Sequence, residues 1–242
     1  MNSEYMKDLF GQAILDFQTN NSPEDIITET NISEADEMSV EYLFRNYEEM
    51  PKLEKKAMQL CKGKILDVGC GAGSHSLHLQ REGFDVTSID ISEKAIEACS
   101  LRGLKNAKVQ DVLEVNSESH QNKFDTIFLL MNGTGIFENL NETSKYLQKL
   151  KSLLREDGQI LIDSSDIIYM YDEDESGSYS VPADNYYGEL TFTIHYKNQT
   201  EKDFPWLYLD YNTLQNACYA NDLKCELVLE GNHFDYLAKL TL

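Results

Sequence analysis

Residues 64–76 read KILDVGCGAGSHS, and the rest of the chain is organised around them. Ile65, Leu66 and Val68 form a short apolar run of the kind that fills a parallel strand buried on both faces. The run breaks into Gly69, Gly71 and Gly73, alternating with Cys70 and Ala72. Such a turn can adopt positive φ and lie within contact distance of a ligand that any Cβ would push away. A helical pattern follows at once from Ser74 to Arg81, with Gly83 placed to end it. Strand, glycine turn and helix together predict a nucleotide site.

Two details narrow the nucleotide. The dinucleotide fingerprint G-x-G-x-x-G fails, because Ser74 stands where its last glycine belongs. Asp67 at the strand end, with no Lys or Arg in the turn, also suits an ammonium and a sulfonium better than a pyrophosphate. The pattern D-x-G-x-G-x-G, carried by Asp67, Gly69, Gly71 and Gly73, resembles the first motif of the class I S-adenosylmethionine (SAM) dependent methyltransferases.

The acidic residues downstream fit the same ligand. Asp90 ends the alternating run Val86 to Ile89, 17 residues after Gly73. That is close to the roughly 20-residue offset at which a second-strand carboxylate meets a ribose. Ser92 reads as the cap of a helix that stops at Gly103. A third strand at Ala107 to Gln110 leads to Asp111, to which the resemblance assigns the adenine amino group. The resemblance further implies cofactor contacts from Cys70, Ile91, Val112 and Met131. It also implies a seven-stranded, mostly parallel, doubly wound α/β sheet of order 3-2-1-4-5-7-6 with its last strand antiparallel, the Rossmann-like methyltransferase fold.

Composition limits the reading. The chain has 242 residues, long enough for one α/β domain with additions. Its 42 Asp and Glu against 21 Lys and Arg give a formal charge of −21, which repels phosphate backbones. The expected partner is therefore a small-molecule acceptor, with no nucleic acid, and the chain a monomer or homodimer. Cys61, Cys70, Cys99, Cys218 and Cys225 are scattered without a CxxC pair, which argues against a disulfide framework or zinc site. No apolar run reaches the length of a membrane span, and MNSEYMKD lacks the basic start of a signal peptide. The reading is a cytoplasmic protein with no membrane partner.

Along the chain, Met6, Leu9, Phe10, Ala13, Ile14 and Phe17 space as an amphipathic helix with Ser3 as its cap. NNSPEDIITETNISEADE reads as a loop or crossing segment. VEYLFRNY and PKLEKKAMQLCKG read as helices, the second opened by Pro51 and closed by Gly63. The resemblance implies that residues 1–63 form a helical cap over a SAM-binding core at 64–165. Arg45 could face the methionine carboxylate or pair with Glu48 or Glu49.

The fourth strand runs from Thr126 to Met131 and ends in Met131-Asn132-Gly133-Thr134-Gly135. By the rule that ligands sit at the carboxyl ends of parallel strands, this turn faces the reacting methyl. Adenine and glutamine methylating enzymes carry N-P-P-aromatic there, and Asn132-Gly133 departs from it. Asn141 or Thr143 starts the next helix, ended by Asp157 and Gly158, and QILIDSSD is the fifth strand. Residues 166–209 read as an inserted lid. Its acidic run Asp172 to Glu175 resembles a metal site only in composition, and no metal is expected. Leu190 to Tyr196 alternates as a strand, and FPWLYLDY can return antiparallel to it across KNQTEKD. Tyr169, Tyr171, Tyr179, Tyr186, Tyr187 and Trp206 could line an acceptor pocket or pack the hairpin. Residues 210–242 supply the last helix and an antiparallel strand pair.

The function that follows is methyl transfer from SAM to N or O of a small polar acceptor. A non-catalytic SAM-binding regulator and an NAD-dependent oxidoreductase are the alternatives. Asp166, Tyr187, His195 and His233 are the candidate bases, and no motif chooses among them.

Overall fold

A computed structural model describes residues 7–117 and 123–242. The expected cap Ser3 and stripe residue Met6 lie outside the described residues, as does part of the loop after Glu114. In chain order the elements are α1 (Leu9–Thr19), β1 (Ile26–Thr30), β2 (Ser33–Met38), α2 (Lys52–Leu60), β3 (Lys64–Val68), α3 (Ser74–Arg81), β4 (Asp85–Asp90), α4 (Glu93–Leu101) and β5 (Ala107–Val109). There follow β6 (Phe124–Leu129), α5 (Thr143–Leu153), β7 (Leu154–Ser165), β8 (Glu189–Tyr196), β9 (Gln199–Leu207), α6 (Tyr211–Ala220), β10 (Lys224–Glu230) and β11 (Asp235–Thr241). Seven strands form one sheet in the order β5-β4-β3-β6-β7-β11-β10. Counted from β3, this is the expected 3-2-1-4-5-7-6. A second sheet has four strands, in the order β2-β1-β8-β9.

By their internal contacts the residues fall into two compact units, each discontinuous in sequence. The first comprises residues up to Met50, Asp67–Asp111 and Thr191–Phe204. Here α1 starts at Asp8, whose carboxylate accepts from Gly11 N at 3.1 Å. Leu9 and Ala13 of α1, Ile26, Val40, Ile194 and Tyr196 form one buried cluster. Each fully buried aliphatic side chain there contributes about 1.5–3 kcal/mol. Asp16, 2 % exposed, is the polar member beside this cluster. It accepts from Lys197 Nζ at 2.6 Å, Tyr196 OH at 3.0 Å, Gln12 Nε2 at 2.8 Å and Asn21 Nδ2 at 2.9 Å.

Residues 26–38 correct the sequence reading, which took them for a loop. β1 pairs antiparallel with β2 and, on its other side, with β8, setting Ile27 opposite His195 and Thr30 opposite Phe192. Only Ile26 is buried in β1, and most of β2 is exposed, so no alternating apolar pattern marks the strands. Their pairing partner lies far downstream. The hairpin turn is closed by Thr30 Oγ1, which accepts from Ile32 N and Ser33 N at 3.2 and 3.0 Å. VEYLFRNY is likewise not one helix but two 3₁₀ turns, Glu41–Phe44 and Tyr47–Glu49. Asn46 adopts an extended conformation to cap the second turn in a capping box with Glu49, and that interrupts a continuous helix. The connection from β8 to β9 is shorter than expected. It is Lys197-Asn198 alone, with Lys197 at φ +52, and most of KNQTEKD belongs to β9.

The second unit comprises Pro51–Leu66, Val112–Leu190 and Pro205 to the end. β6 and β7 are parallel, and β11 runs antiparallel to both β7 and β10. Asp157 and Gly158 do not stop α5. The helix ends at Leu153, and both residues lie inside β7 next to a register shift opposite Phe124 and Thr126. A Cβ on Gly158 would sit 2.9 Å from Arg155 O and 3.0 Å from Phe124 O, so the glycine serves the irregularity. No helix among the described residues is long and apolar enough to cross a membrane.

Candidate functional site

The glycine turn is built from both its backbone and its neighbours. Gly69 N and Cys70 N donate to Ile89 O at 2.9 and 3.1 Å, and Gly73 N donates to Cys70 O at 2.7 Å. Gly71 and Gly73 have φ of +51° and +79°, in the left-handed region that glycine enters without steric cost. Their surroundings differ. A Cβ on Gly73 would lie 2.9 Å from Cys99 Sγ of α4, whereas one on Gly71 would meet nothing within 4 Å. Gly73 serves helix packing and Gly71 leaves open space above the turn. The Cys99 thiol donates to Gly71 O at 3.2 Å, and the Arg102 guanidinium donates to Ala72 O and to Ser74 Oγ. Cys70 is buried 4.0 Å from Cys99 Sγ. That neighbour, then burial, pushes its thiol well above the usual range, so it stays protonated.

Asp67, 2 % exposed, accepts from Ser76 Oγ at 2.6 Å and thereby holds the first turn of α3. Burial pushes its carboxyl up to about 6, against the opposing pull of His75 and Ser76. A folded value above the unfolded 3.8 means that stability from this group is full below that pH and lost as the pH rises through 6. The difference between these two values corresponds to about 3 kcal/mol. Asp67→Asn, whose Oδ1 can still accept from Ser76, should therefore flatten the stability profile between pH 4 and 7. Urea titrations at both ends would read this, and an unaltered slope would show that Asp67 titrates normally.

Asp90 holds the turn from the other side. Its Oδ2 accepts from Gly71 N at 2.8 Å and its Oδ1 from Ser92 N at 2.9 Å. Each carboxylate oxygen can accept a second bond. Burial pushes this carboxyl up, and Asp8 adds repulsion. Asp8 itself accepts from Ser92 Oγ at 2.9 Å, while Ser92 caps α4 through Ala95 N. Asp8 thus stands beside the site unannounced by any motif. Ile91, between Asp90 and Ser92, is a large apolar side chain 59 % exposed. Asp111 lies two residues beyond the end of β5 and is half-buried. Arg45 is buried, donates to Tyr42 O at 2.6 Å and stacks 4.0 Å over the Tyr42 ring. Glu49 is committed to Asn46 N.

In the second unit, β6 ends at Leu129, two residues earlier than read. Met131 and Asn132 follow in left-handed conformations, φ +67° and +61°. Asp163 at the end of β7 secures them, accepting from Met131 N at 3.0 Å through Oδ2 and from Gly133 N at 2.8 Å through Oδ1. Sequence reasoning missed this residue. Its signal was a carboxylate at the end of the apolar run ILI. Asn132 accepts from Ser164 Oγ at 3.0 Å and donates to Leu207 O at 3.3 Å. Gly135 lies flat on Trp206, whose indole stands 2.0 Å from where a Cβ would be. Val112, expected among the cofactor contacts, is buried at the start of a 3₁₀ turn.

Of the four candidate bases, the second unit holds Asp166, Tyr187 and His233, and Asp166 N donates to Phe234 O, next to His233, at 3.0 Å. Tyr187 OH donates to Asp166 Oδ1 at 2.8 Å, and Tyr171 OH donates to Tyr187 O at 2.7 Å. Burial, then Asp166 and Tyr186, push the Tyr187 phenol well above its ordinary value, which makes it a donor rather than a base. His195 belongs to the other unit, its Nδ1 2.9 Å from Thr200 Oγ1 and its Nε2 3.6 Å from Glu29. His233 lies in the exposed link between β10 and β11, its N–H on Asp235. The acidic run at 172–175 folds on itself, with Asp174 accepting from Ser176 and Ser178. Among the described residues no group of three His, Cys, Asp or Glu side chains could hold a metal ion.

Comparison with known proteins agrees with this geometry. A family profile described as a methyltransferase domain matches residues 59–235. A SAM-dependent methyltransferase from Bacteroides fragilis, solved with S-adenosyl-L-homocysteine, is 42% identical with a TM-score of 0.88, covering 98% of this chain and 95% of that one. A S-adenosylmethionine-dependent methyltransferase from Clostridium acetobutylicum shares the fold at 15% identity and TM-score 0.59, covering 81% and 93%. Among curated proteins, a ubiquinone biosynthesis O-methyltransferase of Pectobacterium atrosepticum is 24% identical over 108 residues. This chain spans 45% of that relative's length, about half. With a profile match over well more than half its length, the strand order and the glycine turn, the chain belongs to the methyltransferase domain family and is a class I SAM-dependent methyltransferase domain.

Proposed function

We propose that this protein transfers the methyl group of SAM to a nitrogen or oxygen of a small polar acceptor. The observation that carries the reading is Gly71, with open space where a side chain would stand and its N–H held 2.8 Å from Asp90. A cradle that a Cβ would fill, beside a carboxylate with accepting capacity to spare, suits an adenosyl ligand. Asp90 takes the ribose hydroxyls, exposed Ile91 covers the adenine, Asp111 accepts from its amino group and Asp67 supplies the negative field for the ammonium. The family resemblance also assigns Met131 and Val112 to the cofactor, and Arg45 to its carboxylate.

SAM supplies an electrophilic methyl on a sulfonium, so the protein's work is alignment, exclusion of water and removal of the acceptor's proton. Asp166 is the favoured acceptor of that proton, since its partner Tyr187 is held as a phenol. The carboxylate and that phenol are already joined at 2.8 Å. Asp166→Asn should therefore lower kcat with little change in SAM affinity.

The deciding experiment incubates the protein with SAM and a pool of cellular metabolites and follows S-adenosylhomocysteine. Its accumulation with one added fraction supports the enzyme. Binding of SAM with no turnover in any fraction would favour a regulator, and calorimetric binding of NAD but neither adenosyl ligand would reverse the cofactor assignment. Gly71→Ala offers a second check. The left-handed strain costs about 1–2 kcal/mol of stability, while loss of the open space should weaken S-adenosylhomocysteine more than about tenfold.

A further inference from the structure

The first unit holds a cavity of about 340 Å³ beside α3. Arg45, Arg81, Arg102, His78, Asn46 and Glu48 are among the residues lining it, and Gly71, Asp90 and Asp111 are not. In a chain with twice as many acidic as basic side chains, three guanidiniums here face one carboxylate. The Arg102 guanidinium donates to neutral oxygens, those of Ala72, Ser74 at 3.2 Å and Phe44 at 3.3 Å, none of which offsets its charge. Burial, and then the repulsion of Arg81, pull Arg102 below its ordinary value. The same two influences lower His78, against Glu82 and Glu48, which pull it up. Tyr47 stacks on the His78 ring at 4.1 Å and fixes one wall.

We infer that this cavity is an anion site for a phosphate- or carboxylate-bearing small molecule, gripped by Arg81 and Arg102 and flanked by His78. Guanidinium forks match both groups in pairs of hydrogen bonds, and the cavity has the size of a small-ligand site. The charge of the surrounding chain, −21 overall, disfavours a polyanion and leaves a small anion as the fitting ligand. The inference touches the proposed cofactor site through Arg45, which lines this cavity and is assigned above to the cofactor carboxylate, while Arg81 and Arg102 are given no part in that site.

The test follows the His78 imidazole by NMR while inorganic phosphate, citrate or chloride is added at matched ionic strength, with and without saturating S-adenosylhomocysteine. The expected result is a saturable shift with phosphate or citrate, an upward move of the His78 titration, and no response to chloride. Arg81→Gln, at the exposed end of α3, should weaken binding by about tenfold or more. The stronger of phosphate and citrate identifies the class of headgroup. An equal response to chloride, no saturable response to either anion, or an unchanged response in Arg81→Gln would overturn the site. Abolition of phosphate binding by S-adenosylhomocysteine would overturn it as a separate site, because the cavity would then belong to the cofactor's carboxylate.

Discussion

Asp90→Ala should weaken S-adenosylhomocysteine and SAM by roughly two orders of magnitude or more in calorimetric titrations. The two charge-assisted hydrogen bonds to ribose hydroxyls proposed for Asp90, at about 1.5–3 kcal/mol each, set that size. The substitution also removes the acceptor of Gly71 N and of Ser92 N, so the turn loses its brace and α4 part of its start. Each half-buried N–H left without a partner costs about 1–3 kcal/mol. The two effects separate experimentally. Asp90→Asn retains one accepting oxygen but turns an amide NH₂ toward the other N–H, so it should bind the cofactor almost as poorly. A folded Asp90→Ala protein with unchanged affinity would remove the carboxylate from the ribose.

The largest effect on stability should come from Asp16→Ala, about 3 kcal/mol, equivalent to a fall in Tm of roughly 6–12 °C for a chain of this size. Four donors converge on this carboxylate, from α1, the chain just after it, β8 and the β8–β9 turn. Removing one member of a buried pair usually costs about 3–5 kcal/mol. The low end applies because the Lys197 side chain is 30 % exposed and can turn to water. Although burial opposes it, the Lys197 ammonium and the other donors hold the Asp16 carboxyl below its ordinary value. A depressed folded value places this stability above pH 4 and removes it as the pH falls lower. The gap between wild type and Asp16→Ala should thus be full at pH 7 and close in acid. A gap of under 1 kcal/mol at pH 7 would mean that water replaces Asp16 without loss.

What was legible in the chain was what is local. The D-x-G-x-G-x-G turn, the Ser92 cap and the apolar runs of β3, β4 and β6 declare themselves within a dozen residues, and strand order followed from the resemblance they carry. The missed features depend on partners distant in sequence. β1 and β2 have few apolar side chains and become strands because β8 offers an edge. Asp163 acts on a turn 30 residues upstream, and Asp8 on a cap 84 residues downstream. Helix ends misread for another reason. Gly158 looked like a stop and proved to be a bulge residue, and Asn46 looked helical and proved to be a cap.

The pairing of β1 with β8 also sets a schedule for synthesis. Met38 ends the amino-terminal hairpin and Glu189 begins its partner strand, 151 positions later. At roughly 5–20 residues per second a ribosome takes about 8–30 s to cover that distance. An isolated two-stranded hairpin is at best marginally stable in water, so for that interval the nascent hairpin has no lasting structure and an uncovered edge. Its open backbone is then guarded chiefly by Glu29, Glu34, Asp36 and Glu37, whose mutual repulsion discourages pairing with another nascent chain. The acidity that hid these strands in the sequence therefore protects the chain while it waits for its other end.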